Sequence, residues 1–313
     1  PIFTGIATDK QLTGGLVRAR DGNKRTLSFA AVDANGKDIG YYEMGDDLTL
    51  KRTDDPTTHR FTKEKTTIPK QALSIDKASV IYTDEQGKRW RLPKGDLPEK
   101  HPLGSSRIAR EVATERDLLN AHGTFYELPA RNAGGIAKLR AVATHNHHIH
   151  DFCSYRGLFI ISGIATDAPK SADDGVERSE RRSASSINKH VIRSDDNKTA
   201  LWAGAIDDIW KIGKPRGTGG PWHDTPVKAG QVSDPYLMTG YDQKHLVLST
   251  SAQCTITAQI DLTGTGNWID YKTFTIEDVN QEAEHKFPIQ FQAYWIRFVS
   301  DTDTNISAQL YYR

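Results

Sequence analysis

The sequence lacks the short motifs that identify many enzyme families. Its 313 residues include only two cysteines and two methionines. It has no His-Glu-x-x-His motif and no cysteine cluster, which argues against a zinc protease and a structural zinc site. It also has no Walker loop, dinucleotide fingerprint or Gly-x-Ser-x-Gly elbow, and the Gly-rich run 217–220 lacks the lysine of a phosphate loop. Nucleotide-dependent and serine-hydrolase chemistry therefore have no support in the sequence.

Net charge and long apolar runs are also missing. The formal net charge is +1, so no overall field favours nucleic acid or an acidic membrane surface. No apolar run approaches the length of about 20 residues that a membrane-spanning helix needs. With 37% hydrophobic and 26% charged residues, the chain belongs to the globular class. We expect neither a nucleic-acid partner nor a membrane span.

The two cysteines, Cys153 and Cys254, each lie inside an apolar, strand-like stretch. They could form a disulfide only if those strands were neighbours, so two buried thiols are the preferred interpretation. The chain opens on P-I-F-T-G, without Met or a signal peptide. We therefore expect it to be processed or excised from something longer, with the remaining N-terminal part of the same gene product as a possible partner.

Hairpin signals dominate the first part of the sequence. An Asn-Gly turn separates two strand-like runs within 24–52, and a second alternating pair spans Ala78–Leu92. Strand modules recur at a spacing of about 40 to 60 residues without a βαβ unit, which favours propeller blades or a large sandwich. One segment, Ser106–Asn120, is predicted as a helix, although its apolar spacing is irregular.

The pattern changes near Met238, where six short alternating strands with tight turns begin and continue to the end of the chain. Six strands in about 75 residues fit a small antiparallel sandwich. We predict an all-β fold, with β-propeller blades (a partial propeller, or part of a seven-bladed one) over 1–236 and a C-terminal β-sandwich over 237–313. The polar segment 167–196 and the Gly/Pro-rich segment 213–222 are predicted to be exposed loops.

The central stretch, residues 110–165, holds the densest group of titratable side chains. Five of the eleven histidines fall within it. Two apolar, strand-like runs, 123–128 and 157–164, are each entered through such residues. A neutral histidine suits proton transfer near neutral pH, and a tyrosine can also serve. The candidate catalytic residues are His122, His145, His147 and Tyr155.

A metal site is an alternative interpretation of these histidines. His145 and His147 are two residues apart, so in an extended segment they point to the same face and could supply two ligands. The third ligand could be Asp151, His150 or His122. The remaining alternative is a polar loop whose histidines only form hydrogen bonds with the backbone. The metal is therefore left unknown.

Substrate-binding candidates lie beside the catalytic ones. Arginine suits bidentate recognition of a carboxylate, and tryptophan can stack on a sugar ring. The candidates are Arg156, His150, Asp208 and Trp222. Arg156 could instead form a buried ion pair with Asp207 or Asp208, and Trp222 could be a core residue. Carboxylate pairs for glycoside hydrolysis could be drawn from Glu111, Glu115, Glu127, Asp207 and Asp208.

Three segments carry a resemblance to a known class of proteins. H-G-T-F-Y-E-L-P at 122–129, A-T-H-N-H-H-I-H-D-F-C-S-Y-R-G-L at 143–158 and L-W-A-G-A-I-D-D-I-W-K-I-G-K-P at 201–215 resemble the C-terminal half of secreted microbial propeller proteins that degrade polysaccharides. The class includes the seven-bladed enzymes that cleave rhamnose–glucuronate linkages in plant gums, as lyases or as rhamnosidases. The resemblance covers roughly Arg110–Tyr241 and the terminal sandwich in outline. Seven blades and a sandwich need roughly 500 residues, so this chain would hold only the last blades.

The resemblance implies a secreted or periplasmic protein with a His-centred site, optionally with bound Ca²⁺, that acts on a uronate-containing polysaccharide or oligosaccharide. The leading hypothesis is a polysaccharide lyase. Arg156 would neutralise the uronate carboxylate, and a histidine or tyrosine would abstract the C5 proton in a β-elimination. The alternatives are a glycoside hydrolase on the same kind of glycan and a non-catalytic propeller that binds glycan or protein.

Overall fold

The structure is a computed structural model that describes residues 14–19, 26–32, 37–56, 62, 73–95, 107–113, 116–145, 149–163 and 190–313. These residues form almost only β-strands, which confirms the all-β prediction. Three short 3₁₀ helices cover Arg131–Ala133, Gly135–Lys138 and Ile206–Lys211. The strands, in chain order, are β1 (Gly14–Ala19), β2 (Leu27–Val32), β3 (Asp38–Met44), β4 (Leu50–Arg52), β5 (Leu73–Ile75), β6 (Val80–Thr83), β7 (Arg89–Leu92), β8 (Arg107–Ala113), β9 (Arg116–Ala121), β10 (Thr124–Pro129), β11 (Arg140–Thr144), β12 (Asp151–Tyr155), β13 (Leu158–Ser162), β14 (Val191–Arg193), β15 (Ala200–Gly204), β16 (Gly217–Val227), β17 (Tyr236–Leu237), β18 (Lys244–Thr250), β19 (Cys254–Asp261), β20 (Trp268–Ile276), β21 (Ala283–Lys286), β22 (Trp295–Ser300) and β23 (Thr304–Tyr312).

The chain divides into two compact units, each assembled from three segments. Unit 1 comprises segments 1–67, 97–123 and 145–213, and unit 2 comprises segments 68–96, 124–144 and 214–313. The chain therefore passes between the units several times. The predicted boundary between residues 236 and 237 stays a prediction.

Unit 1 contains sheets built like propeller blades. Strands β1 to β4 form an antiparallel meander in which each strand pairs with the next, and β12, β13, β15 and β14 form a second four-stranded antiparallel sheet. β8 and β9 pair as an antiparallel hairpin. Strand β12 lies against both β1 and β8. The first strands of the two four-stranded sheets and of this hairpin thus lie next to one another, as the innermost strands of neighbouring blades do.

The apolar interior of unit 1 joins its first and last sheets. Alternation along β3 buries Tyr42 and Met44 on one face, because successive strand residues point to opposite faces. The buried phenol of Tyr42 donates a hydrogen bond to Asp196 Oδ2 over 3.2 Å, and burial is the main cause that raises the pKa of Tyr42 to about 12. The other buried members of this cluster are Val17, Leu27, Phe29, Ala31, Leu50, Cys153, Tyr155, Ile160 and Leu201.

The helix predicted over Ser106–Asn120 is wrong, since β8 and β9 occupy this segment as an antiparallel pair. Ile108 and Val112 are β-branched and four residues apart, a spacing that fits one face of a strand as well as one face of a helix. Antiparallel pairing with β9 decides between the two. The strand hairpins predicted within 24–52 and over Ala78–Leu92 are confirmed by β2–β3 and β6–β7.

Unit 2 is a β-sandwich with two main sheets. One sheet has the order β16-β23-β18-β21, and the other has the order β20-β19-β22-β17-β7-β6-β5. All six predicted C-terminal strands are present, as β18 to β23. The larger sheet is mixed, because β17 runs parallel to β7. The rings of Trp222 and Phe298, one from each sheet, lie 6.3 Å apart, so the inner faces pack into a shared core.

The Gly/Pro-rich segment predicted as a loop, 213–222, is a strand over its second half. β16 begins at Gly217 and pairs with β23, with irregular register between Gly219 and Trp222. A Cβ added at Gly220 would collide with the carbonyl oxygen of Ala308. The glycines therefore allow a close backbone approach beside a bulge, a role that apolar periodicity does not reveal.

Cys153 and Cys254 are buried thiols that are not joined by a disulfide, as predicted. Most of the polar segment 167–196 lies outside the described residues, and its described end forms β14. No helix in the described ranges is long and apolar enough to cross a membrane.

Histidine 285 sets a pH dependence of folding in unit 2. Its Nε2 lies 3.0 Å from the Tyr271 hydroxyl, and its ring packs against Phe287 with centroids 4.8 Å apart. Burial, followed by the charges of Lys272 and His245, lowers the pKa of His285 below 6.5. Well above pH 6.5 the residue is neutral in the folded and unfolded states and adds no pH dependence. Below that, the unfolded chain takes up the proton first, so acid should lower stability.

We expect His285→Phe to flatten this dependence, because phenylalanine keeps the ring packing and cannot be protonated. Urea unfolding at pH 7.5 and pH 5 should show a smaller fall in the free energy of unfolding than in the wild type. His223→Phe, which changes an exposed histidine of β16, is the control and should leave the fall unchanged. An equal fall in the wild type and His285→Phe would contradict the assignment.

Candidate functional site

His145 forms hydrogen bonds with two earlier residues of the central stretch, Asn120 and Gly123. It follows β11 and is 3% exposed. Its backbone N–H donates to the Gly123 carbonyl oxygen over 2.7 Å, and its ring Nε2 lies 3.1 Å from Asn120 Oδ1. Because an amide oxygen only accepts, Nε2 carries the proton in this contact. His145 is therefore positioned between β9 and the turn that follows it.

His122 and Arg156 occupy equivalent places in the chain, as their sequence setting suggested. Each is the first of two residues between consecutive strands and is followed by glycine. The backbone φ values are +47° and +80° at His122 and Gly123, and +52° and +76° at Arg156 and Gly157. Positive φ at both residues is the feature of a type I′ turn. Non-glycine residues in this region cost about 1 kcal/mol or more, so both side chains are held in strained backbone positions.

Tyr155 and Arg156 meet the β3–β4 connection. The Tyr155 hydroxyl donates to the Met44 carbonyl oxygen over 3.1 Å and accepts from Arg156 Nε over 3.3 Å. The Arg156 guanidinium forms an ion pair with the Asp46 carboxylate. Arg156 is one-third exposed, whereas Tyr155 is buried. This part of the predicted site therefore gains an acidic partner, Asp46, that the sequence did not indicate.

An open cavity of about 560 Å³ adjoins this ion pair. Its walls come from the end of β3, the β3–β4 connection and β4, and they carry three carboxyl groups and two cations. The charged side chains on its wall are Glu43, Asp46, Asp47, Lys51 and Arg52. Glu43 faces Lys51 across the β3–β4 pair, so this carboxyl group has a cation opposite it.

The Asp47 carboxylate forms hydrogen bonds within its own turn. It accepts hydrogen bonds from the Thr49 hydroxyl over 2.7 Å and the Thr49 N–H over 3.1 Å, and it lies 3.5 Å from Lys51 Nζ. The hydrogen bonds from Thr49 are the main cause that lowers the pKa of Asp47. Glu43 and Asp46 are the two other carboxyl groups on this wall.

Asp151 is a structural carboxylate at the beginning of β12. It is fully buried, and its oxygens accept from the N–H groups of Val17 and Phe152, each over 2.9 Å. It therefore joins β12 to β1. The backbone N–H of the neighbouring His150 donates to the Ser162 carbonyl oxygen over 3.1 Å, and its side chain is half-buried.

The other predicted site residues lie elsewhere. Asp208 is in the 3₁₀ helix Ile206–Lys211. Its carboxylate accepts from Lys211 Nζ over 2.7 Å and from the Ala205 N–H over 2.9 Å, and the Lys211 hydrogen bond is the main cause that lowers its pKa. Trp222 belongs to unit 2, where its ring is in the sandwich core. His147 lies outside the described residues.

Metal chemistry finds no support in the described part of the chain. It contains no group of three or more His, Cys, Asp or Glu side chains arranged to hold a metal ion. A calcium or transition-metal site therefore stays a prediction, since the candidate ligand His147 lies outside the described residues.

Glu43 and Asp46 are the functional candidates that sequence reasoning missed. The segment E-M-G-D-D at 43–47 falls within the hairpin region predicted over 24–52. Its three acids within five residues are a local signal, because the Asp47 carboxylate already accepts the Thr49 N–H of this turn. The pairing of Asp46 with Arg156 depends on the tertiary fold.

Comparisons with known proteins give weak similarities. No family model and no curated protein matches the sequence. Among solved structures, a glycoside hydrolase family 43 arabinoxylan arabinofuranohydrolase from Bacillus subtilis is 10% identical, with 95% of this chain and 77% of that chain covered and a TM-score of 0.19. An exo-β-1,3-galactanase from Phanerochaete chrysosporium is 9% identical, with 96% of both chains covered and a TM-score of 0.21. Such low TM-scores do not establish a common fold, and neither structure is a rhamnose–glucuronate lyase.

Proposed function

We propose that this protein acts on a glycan and hydrolyses a glycosidic bond at the cavity in unit 1. The observation that carries the proposal is the pair of carboxyl groups, Glu43 and Asp46, on one wall of a cavity of about 560 Å³ with Arg156 beside them. Glycoside hydrolysis needs two carboxyl groups flanking the scissile bond. Secretion, which the sequence resemblance implies, is part of the same proposal.

The two carboxyl groups would divide the chemistry between them. One donates its proton to the glycosidic oxygen as the C–O bond breaks, and the other stabilises the positive charge that develops at the anomeric carbon or activates water. The oxygen of water then bonds to the anomeric carbon and restores the proton. Arg156 acts as a positioning residue, because its guanidinium fixes the Asp46 carboxylate.

Hydrolysis is favoured over the β-elimination that the sequence resemblance implied. Elimination would need Arg156 to neutralise a uronate carboxylate, but its guanidinium already pairs with Asp46. It would also need a base in contact with the substrate, and the hydroxyl of Tyr155 is buried and donates to Met44. The lyase reaction is therefore the alternative that product analysis must distinguish from hydrolysis.

Product analysis separates the two reactions. We would incubate the protein with polygalacturonate, gum arabic and a neutral arabinogalactan, and measure new reducing ends together with ultraviolet absorbance. Hydrolysis should give reducing ends without absorbance from a C4–C5 double bond. An equivalent rise in both signals would establish elimination and overturn the proposal. If the protein binds a glycan but none of the three polymers gains reducing ends, the proposed hydrolysis is wrong and a non-catalytic, glycan-binding role is supported.

A further inference from the structure

The outward face of one sheet of unit 2 forms an open groove. On this face β18 lies between β23 and β21, and their register sets Tyr311, His245 and Lys286 in one row. The next row is Gln309, Val247 and Glu284. The groove over these rows has a volume of about 660 Å³, within the range of about 300 to 1,000 Å³ that ligand sites occupy.

Cations dominate the charge in this groove. The Glu284 carboxylate lies 3.1 Å from His245 Nε2. Lys286 and Arg313 also line the groove, and neither forms an ion pair with a described residue. Lys244 is a third cation on this wall, so three cations face the two carboxylates of Glu282 and Glu284. The groove therefore favours an anionic ligand.

The same groove exposes aromatic and apolar surface. Tyr311 is 41% exposed and its ring centroid lies 6.3 Å from that of His245. Ile289, at the rim, is 80% exposed. An exposed aromatic ring beside alternating hydrogen-bond donors and acceptors suits a polyhydroxylated ring, whose C–H face packs on the aromatic side chain while its hydroxyls meet the polar groups.

We propose that this groove binds a saccharide chain that carries carboxylates, as uronate residues do. Lys286 and Arg313 contact the carboxylates, Tyr311 supports a sugar ring, and Glu284 accepts hydrogen bonds from hydroxyls. This goes beyond the proposed hydrolysis, because all of these residues belong to unit 2 and the carboxyl groups assigned to hydrolysis belong to unit 1. The groove would hold an acidic polymer whether or not the protein cleaves it.

Calorimetric titration tests the groove directly. The titrations would use full-length protein carrying Glu43→Gln, so that the ligand is not consumed, with trigalacturonate as the probe and galactotriose as its uncharged counterpart. We expect trigalacturonate to bind, with an affinity that falls as NaCl is raised. Tyr311→Ala should weaken binding by about fivefold, whereas Tyr311→Phe should keep most of it. The double change Lys286→Gln and Arg313→Gln should weaken it by about tenfold.

The control variant for the groove is a lysine elsewhere in unit 2. Lys214→Gln changes a cation of unit 2 that lies outside the groove and is 83% exposed, and it should leave the affinity unchanged. Equal affinity for galactotriose, or for a glutamate oligomer of equal charge, would overturn the assignment to an acidic saccharide. Trigalacturonate binding that survives the groove substitutions would also overturn it. Failure of hydrolysis with groove binding intact would count against the proposed function alone.

Discussion

Glu43→Gln and Asp46→Asn are each expected to lower kcat on a cleaved glycan by about 100-fold or more. General acid–base catalysis by a positioned carboxyl group contributes about 10² to 10⁴ in rate, and an amide can neither donate the proton nor carry the charge. Both substitutions keep the size of the side chain, so the wall of the cavity should keep its shape. The measurement is initial rate of reducing-end release against substrate concentration, which separates kcat from KM.

The neighbouring Asp47 offers a matched control in the same turn. Asp47→Asn retains a carbonyl oxygen that can accept the Thr49 hydrogen bonds, and the residue has no assigned part in bond cleavage. We expect its kcat to stay within about twofold of the wild type, in contrast to the losses at catalytic carboxyl groups. If Asp47→Asn lost as much activity as Asp46→Asn, the effect would reflect the turn and not the chemistry. Full activity of Glu43→Gln would remove Glu43 from the site.

Arg91→Met is expected to lower the free energy of unfolding by about 3 kcal/mol, because it leaves the Asp76 carboxylate without its cation and removes the closer of the two cations at Asp234. The Arg91 side chain is 7% exposed, and its guanidinium contacts Asp76 and Asp234, each over 2.8 Å. Its backbone N–H also donates to the Pro235 carbonyl oxygen over 2.8 Å. Burial alone would raise the pKa of Asp76, but hydrogen bonds from Ser79 and Arg91 outweigh it and lower that pKa.

Arg89→Met is the matched control for this prediction. Arg89 is on the same strand, pairs with the same Asp234 over 3.3 Å, and is 47% exposed. An ion pair this exposed contributes about 0 to 1 kcal/mol, so the loss should be several times smaller than at Arg91. Urea denaturation followed by tryptophan fluorescence measures both. Equal losses of unfolding free energy in the two variants would show that the buried ion pairs of Arg91 contribute no more to stability than the exposed pair of Arg89.

Strand positions in unit 2 could be predicted from sequence because local pattern and tertiary environment agree there. Strands β18 and β19 alternate between buried and partly exposed residues, and this period of two is visible in the letters. Tight turns separate successive strands, so each could be delimited separately. Their order in the sheets could not be predicted, since β17 runs parallel to β7 from a distant part of the chain.

The sequence failed where pairing partners decide the local structure. The segments Arg107–Ala113 and Arg116–Ala121 have no decisive period, and antiparallel pairing with each other makes them strands. Gly217–Gly220 has a loop composition, yet the absence of side chains is what lets β16 approach Ala308. In both cases the contact that decides the structure is made with residues outside the short run of sequence over which periodicity is evaluated.

Only some residues of the candidate site could be predicted from the sequence, for the same reason. Sequence spacing drew attention to Tyr155 and Arg156 because titratable residues precede an apolar run. Their partners on β3 and its turn are far away in the chain, with Tyr155 and Met44 separated by 111 residues. A single sequence contains no information on such pairs, so Glu43 and Asp46 could not be linked to Arg156 before the fold was known.

The mixed sheet of unit 2 bears on how the protein is made. Arg91 on β7 binds Asp234, which is 143 residues further along the chain. At about 5 to 20 residues per second, a ribosome would need roughly 7 to 30 seconds to synthesise that interval. During this time β5, β6 and β7 present a sheet edge with no strand beside it, which is a template for association between nascent chains. Production in cells should therefore respond to chaperone supply more strongly than the stability of the finished protein would suggest.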